Sequence, residues 1–447
     1  MKVMVLGLGL SGISAAKLSI SLGHATSGTD QLPFRSLPAG VRDLQGNGFK
    51  FMDEENAMEA IRDFDLLVIS PGVPPGNNLV MKARSLGVEV IGEVEWAFRN
   101  CKGRIVGITG SNGKSTTTAL AASLLKACGF DARLGGNIGI PFSGLVEGAG
   151  EGTIFVLELS SFQLETVADF RADIAVLLNV TPDHQDRYAG IEDYARAKAR
   201  VFERQDGNCA AILNIDDPFA VEAAKTTEGE RYFFSLKRHE ERGAFLAGRD
   251  VMYRNDSGDV STLFSAAELS IKGPHNLENA MAASMAALLC GGTAKKIREA
   301  LPSFPALPHR LELVSDRRGV KVYNDSKATN TDSVLKALAS FDGRIILLLG
   351  GKDKGADFTL LLPGIRERCR KVVAFGAAAG KVVEQIGKET GAIAFGTLKE
   401  ATRFAISSAE QGDIVLLSPA CASFDEFRNF EDRGDRFREY VLEATDR

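Results

Sequence analysis

The chain is poor in the features that would mark a secreted, zinc-built or membrane-bound protein. Its six cysteines, Cys101, Cys128, Cys209, Cys290, Cys369 and Cys421, are scattered over 447 residues without a Cys-x-x-Cys pair. That excludes a disulfide framework or zinc cluster and fits reduced thiols in a cytoplasm. Neither sign of charge dominates: the formal net charge of -5 gives no broad basic surface, which argues against stable nucleic-acid binding and leaves room for a local phosphate pocket. No apolar run is long enough to span a membrane. The start, Met1 to Leu6, has the look of a secretion signal, but glycines at 7, 9 and 12 and a helical pattern without a small-residue cleavage site read as a buried first strand. What the chain does have is 45% hydrophobic residues and a length that calls for several domains.

The clearest chemical signal is Ile105-Val106-Gly107-Ile108-Thr109-Gly110-Ser111-Asn112-Gly113-Lys114-Ser115-Thr116, a β-branched strand running into a glycine loop and an Ala/Leu-rich helix. This is a triphosphate cradle. Glycines let backbone amides converge on phosphate oxygens, the helix starting near Ser115 points its positive end at them, Lys114 neutralises charge and the Ser115 hydroxyl can hold magnesium. The spacing departs from the usual P-loop, because Ile108 stands where a glycine is expected five positions before Gly113.

Upstream, residues 2 to 9 read as a strand. Gly7-Leu8-Gly9-Leu10-Ser11-Gly12 opens a helix through Leu22, and Asp30 follows a short second strand. That is a dinucleotide-type βαβ unit. The motif alone leaves three readings open: a nicotinamide or flavin cofactor, another nucleotide diphosphate, or simple packing. A strand over Asp65–Ile69 ends in the turn-rich Ser70 to Pro75, and Asn100 to Gly103 marks a first boundary.

Downstream of the P-loop, the sequence predicts a loop at Gly135 to Gly139, where Asn137 reads as a turn residue. The apolar strand Thr153 to Ser161 carries Glu158 near its end, a position that suits either magnesium or a capping or ion-pair role. A strand over 174–179 leads into Thr181-Pro182-Asp183-His184-Gln185-Asp186-Arg187. His184 is structural or catalytic, and Lys198, on the helix from Ile191, is a solvated cation or a functional one. Residues 231 to 271 read as an antiparallel flap. Asn276 and Asn279, one turn apart, face a ligand or cap a helix. Turns between Leu301 and Pro308 mark a second boundary. Beyond it, strands over 321–323, 344–349, 371–375 and 414–417 alternate with helices, and three of them end in polar loops, 324–330, 350–355 and 418–425. Open sheets bind ligands at such edges, so the three loops are expected to form one site.

Taken together, these motifs resemble the Mur ligases over essentially the whole chain. The carriers are the P-loop stretch, Leu157 to Glu165, Asn179 to Arg187, the helix around Lys198, His275-Asn276, His309-Arg310, Asn324 to Asn330, and Leu417 to Ser423. The resemblance implies an α/β protein of three domains: a Rossmann-like UDP-substrate domain over 1–100, a P-loop ATPase-like domain with a mostly parallel sheet over 101–303, and a Rossmann-like amino-acid domain over 304–447. It implies an ATP-dependent amide ligase that adds D-glutamate to UDP-N-acetylmuramoyl-L-alanine in peptidoglycan synthesis, through an acyl phosphate. The expected working state is a cytoplasmic monomer with small-molecule substrates and no membrane or nucleic-acid partner.

The implied roles fall on matching positions. Gly110, Ser111, Asn112, Gly113, Lys114, Ser115 and Thr116 would hold the ATP phosphates, with Asn276, Asn279, Arg310 and Asp325 on adenine, phosphates and ribose. Ser115 and Glu158 would serve one magnesium ion, and His184 and a carbamylated Lys198 a second; Lys114, His184 and Lys198 would be catalytic. Leu10, Ser11, Gly12, Asp30, Gly72 and Asn137 would bind the UDP-substrate, and Lys327, Thr329, Lys352, Ser423, Phe424 and Phe430 the amino acid. Gln31 and Leu32 stand where relatives carry a threonine and an arginine for uracil, so those two contacts do not transfer. The nearest alternatives are a superfamily ligase for another amino acid, including the folylpolyglutamate type, and a non-catalytic nucleotide-binding protein. Ser418 to Asp425 lacks the Asp-Asn-Pro-Arg signature of the diaminopimelate enzyme.

Overall fold

A computed structural model describes residues 1–183, 187–237, 241–271, 273–305 and 307–445. Among the described residues the chain forms three sheets. The first contains β1 (Lys2–Leu6), β2 (Ala25–Thr29), β3 (Lys50–Phe51), β4 (Leu66–Ile69) and β5 (Glu89–Gly92), in the order β3-β2-β1-β4-β5. All its pairings are parallel. β1 is shorter than predicted because Gly7, at φ +85, turns the chain out of the strand, a conformation glycine adopts without a Cβ clash.

The second sheet contains β6 (Arg104–Thr109), β7 (Asp131–Gly136), β8 (Thr153–Glu158), β9 (Ile174–Leu177), β10 (Ala210–Asn214), β11 (Glu230–Ser235), β12 (Gly243–Ala247), β13 (Asp250–Arg254) and β14 (Val260–Ser265). Their order is β14-β13-β12-β11-β10-β9-β6-β8-β7. The predicted antiparallel flap exists as β12, β13 and β14, but it extends the parallel core, since β12 joins β11 in parallel. Gly135 and Gly136, predicted in a loop, end β7. A Cβ on Gly136 would stand 2.3 Å from the Glu158 carbonyl oxygen, so only glycine lets the two strands pair this far.

The third sheet contains β15 (Glu312–Arg317), β16 (Val320–Asn324), β17 (Ile345–Gly350), β18 (Cys369–Phe375), β19 (Ile393–Phe395) and β20 (Ile414–Ala420), ordered β15-β16-β20-β17-β18-β19. β15 escaped prediction. Its sequence is largely polar and it lies at an edge, paired antiparallel with β16 alone. Leu347, Leu349, Val372, Ala374 and Leu416 face one apolar layer, and Ile346, Leu348, Val373, Val415 and Leu417 the other. Both faces are therefore covered, as a parallel sheet requires.

The chain is compact as two units. The first comprises Met1–Val180, Glu192–Glu268 and Glu278–Pro302 and holds the first two sheets; the second comprises Thr181–Ile191, Leu269–Leu277 and Ser303–Arg447. All six cysteines are free thiols. Among the described residues no helix is long and apolar enough to cross a membrane.

Candidate active site

In the first unit, a cavity of about 530 Å³ opens at the carboxyl ends of β1 and β4, where the first sheet reverses its order. Such a reversal is where open α/β sheets bind ligands. Leu10, Ser11, Asp30, Gly72 and Asn137, all expected at the UDP-substrate, line it together with Gln31. The Leu8 amide donates to Asp30 Oδ2 at 2.6 Å and the Leu32 amide to Oδ1 at 2.9 Å, so the acid fixes the glycine turn while bordering the cavity. Gly12 lies outside the lining. A Cβ there would meet the Gly7 carbonyl oxygen at 1.9 Å, so this glycine lets the helix Leu10–Ser21 sit against the strand end.

The phosphate loop joins β6 to the helix Lys114–Cys128. β6 lies between β8 and β9, which brings Glu158 and Asn179 beside the loop. Asn179 holds it in place: its carbonyl accepts from the Ser111 amide at 2.8 Å, its Oδ1 accepts from the Asn112 amide at 2.9 Å, and its Nδ2 donates to the Asn112 carbonyl at 3.1 Å. Gly113, at φ +89, caps the helix. A Cβ on it would stand 2.3 Å from Asn279 Oδ1, the same atom that accepts from the Thr117 hydroxyl at 3.2 Å. Asn279 thus braces the loop from the helix Pro274–Leu289. Lys114 Nζ donates to the carbonyls of Gly110 and Ser111, each at 2.8 Å. Ser115 and Thr116 are buried in the first turn.

Lys198 is not a solvated helix-face cation. It is 1% exposed, its amine donates to the Gly110 carbonyl at 2.8 Å and it lies 4.2 Å from the centre of the Tyr194 ring. Glu158, also 1% exposed, accepts from Asn137 Nδ2 at 2.9 Å through Oε1. Among the described residues no three His, Cys, Asp or Glu side chains cluster as metal ligands. The buried Ser115 hydroxyl and Glu158 carboxylate still fit magnesium, a hard ion that keeps water and substrate oxygens in most of its shell. His184 lies outside the described residues.

In the second unit β20 lies between β16 and β17, so the loops that follow these three strands are neighbours. The Ala420 amide donates to the Ala328 carbonyl at 3.0 Å, and Lys352 and Ala422 exchange backbone bonds of 2.8 and 3.0 Å. Lys327 Nζ sits 3.6 Å from the centre of the Phe430 ring. Ser423 is buried, Lys352 is exposed at the bridge to Ala422, and Thr329 is half-buried. Phe424 is 65% exposed.

Asp325 accepts from the Ser418 hydroxyl at 2.9 Å and the Leu311 amide at 3.3 Å. Burial pushes its carboxyl up to about 7, against the pull of Ser418 and Arg310. His309 is buried and packs edge-on to Phe430. Desolvation holds its pKa below the usual value, so Nδ1 of a neutral ring accepts from Asn324 Nδ2 at 3.0 Å. Asn276 and Arg310 belong to this unit.

Sequence reading missed the braces. Asn179 bonds the phosphate-loop backbone, Asn324 bonds His309, Glu312 and the Gly434 carbonyl, and Arg433 bonds Ser326, Cys421 and Ala422; partners so far apart in sequence leave no spacing pattern.

Three family models match in order: the Mur ligase MurD-like, N-terminal domain over residues 1–92, the Mur ligase middle domain over 108–287, and the Mur ligase, glutamate ligase domain over 309–421. The chain is 42% identical to the UDP-N-acetylmuramoylalanine--D-glutamate ligase of Acidobacterium capsulatum over 99% of its own length and 96% of the relative's. It is 43% identical to the ligase of the same name from Solibacter usitatus over 100% and 99%. Among solved structures, UDP-N-acetylmuramate-alanine ligase from Thermotoga maritima shares the fold with a TM-score of 0.61 at 17% identity, over 99% of this chain and 100% of that one. A MurF ligase from the same organism, in complex with ADP, matches with a TM-score of 0.62 at 17% identity, over 94% and 95%.

Proposed function

The chain belongs to the Mur ligase family, and from that premise we propose that it joins D-glutamate to UDP-N-acetylmuramoyl-L-alanine, converting ATP to ADP and phosphate in peptidoglycan synthesis. The observation that carries this reading is whole-length identity above 40% with ligases of that name. It is supported by a triphosphate cradle in one unit and three adjoining loops bearing Lys327, Lys352 and Ser423 in the other.

The chemistry requires both parts. A carboxylate is a poor electrophile, so the alanine carboxylate attacks the γ-phosphorus of ATP, a P–O bond to ADP breaks, and an acyl phosphate forms. The loop amides, Lys114 and the positive end of the helix Lys114–Cys128 offset the charge gathering on the phosphoryl oxygens. Ser115 and Glu158 would hold magnesium, which screens those oxygens when bound. The glutamate amine then attacks the acyl carbon as a free base, and phosphate leaves from the tetrahedral intermediate. Lys327 and Lys352 orient the amino acid through its carboxylates, with Ser423, Thr329, Phe424 and Phe430 around it. Asp30, Ser11 and Asn137 address the UDP-substrate, while Arg310, Asp325, Asn276 and Asn279 serve ATP. The functional division follows domains over 1–100, 101–303 and 304–447, in a cytoplasmic monomer.

Phosphate release with ATP and UDP-N-acetylmuramoyl-L-alanine should depend on D-glutamate and not on the L-isomer. Release without an amino acid, or equal rates with both isomers, refutes the reading. His184 and a carbamylated Lys198 would hold a second metal ion, which would add to the screening of the phosphoryl charge. Lys198→Ala should lose turnover and regain part of it with formate, which restores a small carboxylate; full activity without formate refutes the ligand role.

A further inference from the structure

Arg433 is among the largest fully buried side chains of the protein, at 0% exposure on the helix Phe430–Thr445. Its acceptors are all neutral. Nε donates to Ser326 Oγ at 2.9 Å, Nη2 to the Ser326 carbonyl at 2.7 Å, and Nη1 to the carbonyls of Cys421 and Ala422 at 3.0 and 3.1 Å. Burying a cation without a bonded carboxylate is costly and calls for a reason.

The acceptors supply one. Ser326 begins the loop that carries Lys327, and its hydroxyl passes the brace on to the Phe430 carbonyl at 2.8 Å. Ala422 precedes Ser423 and is bridged to Lys352. The third loop is also fitted to the guanidinium: a Cβ on Gly351 would stand 3.0 Å from Nη1. The turn into Cys421 passes through Ala420 at φ +61, a left-handed conformation that costs an alanine about 1 kcal/mol and persists only where its surroundings impose it.

We propose that Arg433 is a positioning residue for the amino-acid substrate, locking the three loops of the third sheet into one register and placing a fixed positive charge beneath the site for a dicarboxylate. This rests on the amino-acid-site reading of Lys327, Lys352 and Ser423. The planar fork, with five donors in fixed directions, bonds Ser326 on one segment and Cys421 and Ala422 on another, a directed geometry that the compact ammonium of lysine does not reproduce. Desolvation lowers the guanidinium pKa only to about 10, with Asp425 and Asp325 among the groups that oppose the fall, so the charge persists at neutral pH.

The test compares Arg433→Met, Arg433→Lys and wild type in D-glutamate-dependent phosphate release, with amide hydrogen exchange on the same proteins. Arg433→Met should raise the D-glutamate KM about tenfold or more while the ATP KM stays within about twofold. Arg433→Lys should recover part of the loss by restoring charge without the fork. Exchange should rise in peptides covering 326–330, 350–354 and 420–424 and stay unchanged in the first unit. Equal changes in both KM values, or an unchanged D-glutamate KM in a folded variant, overturn the proposal. If Arg433→Met does not fold, Ser326→Ala removes one acceptor alone and should raise the same KM about threefold; no change there overturns it. Wild type without D-glutamate dependence would refute the ligase reading instead, and the exchange pattern would then decide Arg433 by itself.

Discussion

The phosphate loop and the three loops of the third sheet solve the same problem, holding polar groups at a sheet edge, by opposite means. In the phosphate loop the proposed ligand-binding surface is the backbone, so shape is written into glycines and into the strand and helix on either side. Gly110 and Gly113 both have positive φ, and Asn179 and Asn279 close in from behind. In the third sheet the proposed binding surface is made of side chains, and the backbone beneath them is held by other side chains: Arg433, Asn324 and Ser326. A backbone-built site advertises itself in sequence because few residues tolerate its conformations. A side-chain-built site is distributed over residues that are individually ordinary.

The contrast breaks most sharply at Gly113. Alanine there meets Asn279 Oδ1 at 2.3 Å in a left-handed conformation, so Gly113→Ala should lower kcat/KM for ATP about 100-fold. The loss should fall on ATP and leave the thermal transition of the second unit in place. A loss below about threefold would show that the loop adapts, and the backbone account would fail.

Gly434 probes the other side. It lies inside the helix Phe430–Thr445, where alanine is normally about 1 kcal/mol more stable than glycine. Here a Cβ would stand 2.1 Å from His309 Nδ1, the atom that Asn324 Nδ2 donates to while also donating to the Gly434 carbonyl at 3.2 Å. Gly434→Ala should therefore destabilise the protein by about 2 kcal/mol, reversing the helix preference. Urea unfolding measures it; a stabilised variant would show that His309 does not hold this side-chain network together.

The same contrast explains what could be read in advance. The glycine loop, the acid at the end of β8 and the βαβ opening announced themselves by spacing, and the structure sets Glu158 beside β6 by strand order. Lys198 did not: within Glu-Asp-Tyr-Ala-Arg-Ala-Lys it has the pattern of a solvated face, and only the family resemblance marked it. Arg433 is hidden better still, inside the charged run Glu431 to Arg438. The single cue is Gly434, a glycine in a helix interior with no turn to make. β15 was illegible because an edge strand with one partner needs little apolar patterning.

The smallest effect asks whether backbone construction belongs to the whole first unit or to its phosphate loop alone. Away from that loop, the short helix Glu93–Phe98 carries two buried acids. Glu95 accepts from the amides of Ala168, Asp169 and Phe170 and from Arg99, whereas Glu93 accepts from the Ser143 amide at 2.6 Å. Burial pushes Glu93 up from 4.5 to about 7, with Ser143 opposing. Between those two values the unfolded chain has released this proton and the folded chain keeps it, so the folded state binds more protons and stability falls as pH rises through the window. Glu93→Gln keeps an acceptor for the Ser143 amide and removes the titration. It should flatten the decline between about pH 4.5 and 7 and leave the variant more stable than wild type at pH 8 by on the order of 1 kcal/mol. Thermal midpoints across that range measure the slope. Parallel curves for the two proteins would mean that Glu93 is already ionised in the fold, and that side-chain protonation plays no part in holding the first unit together.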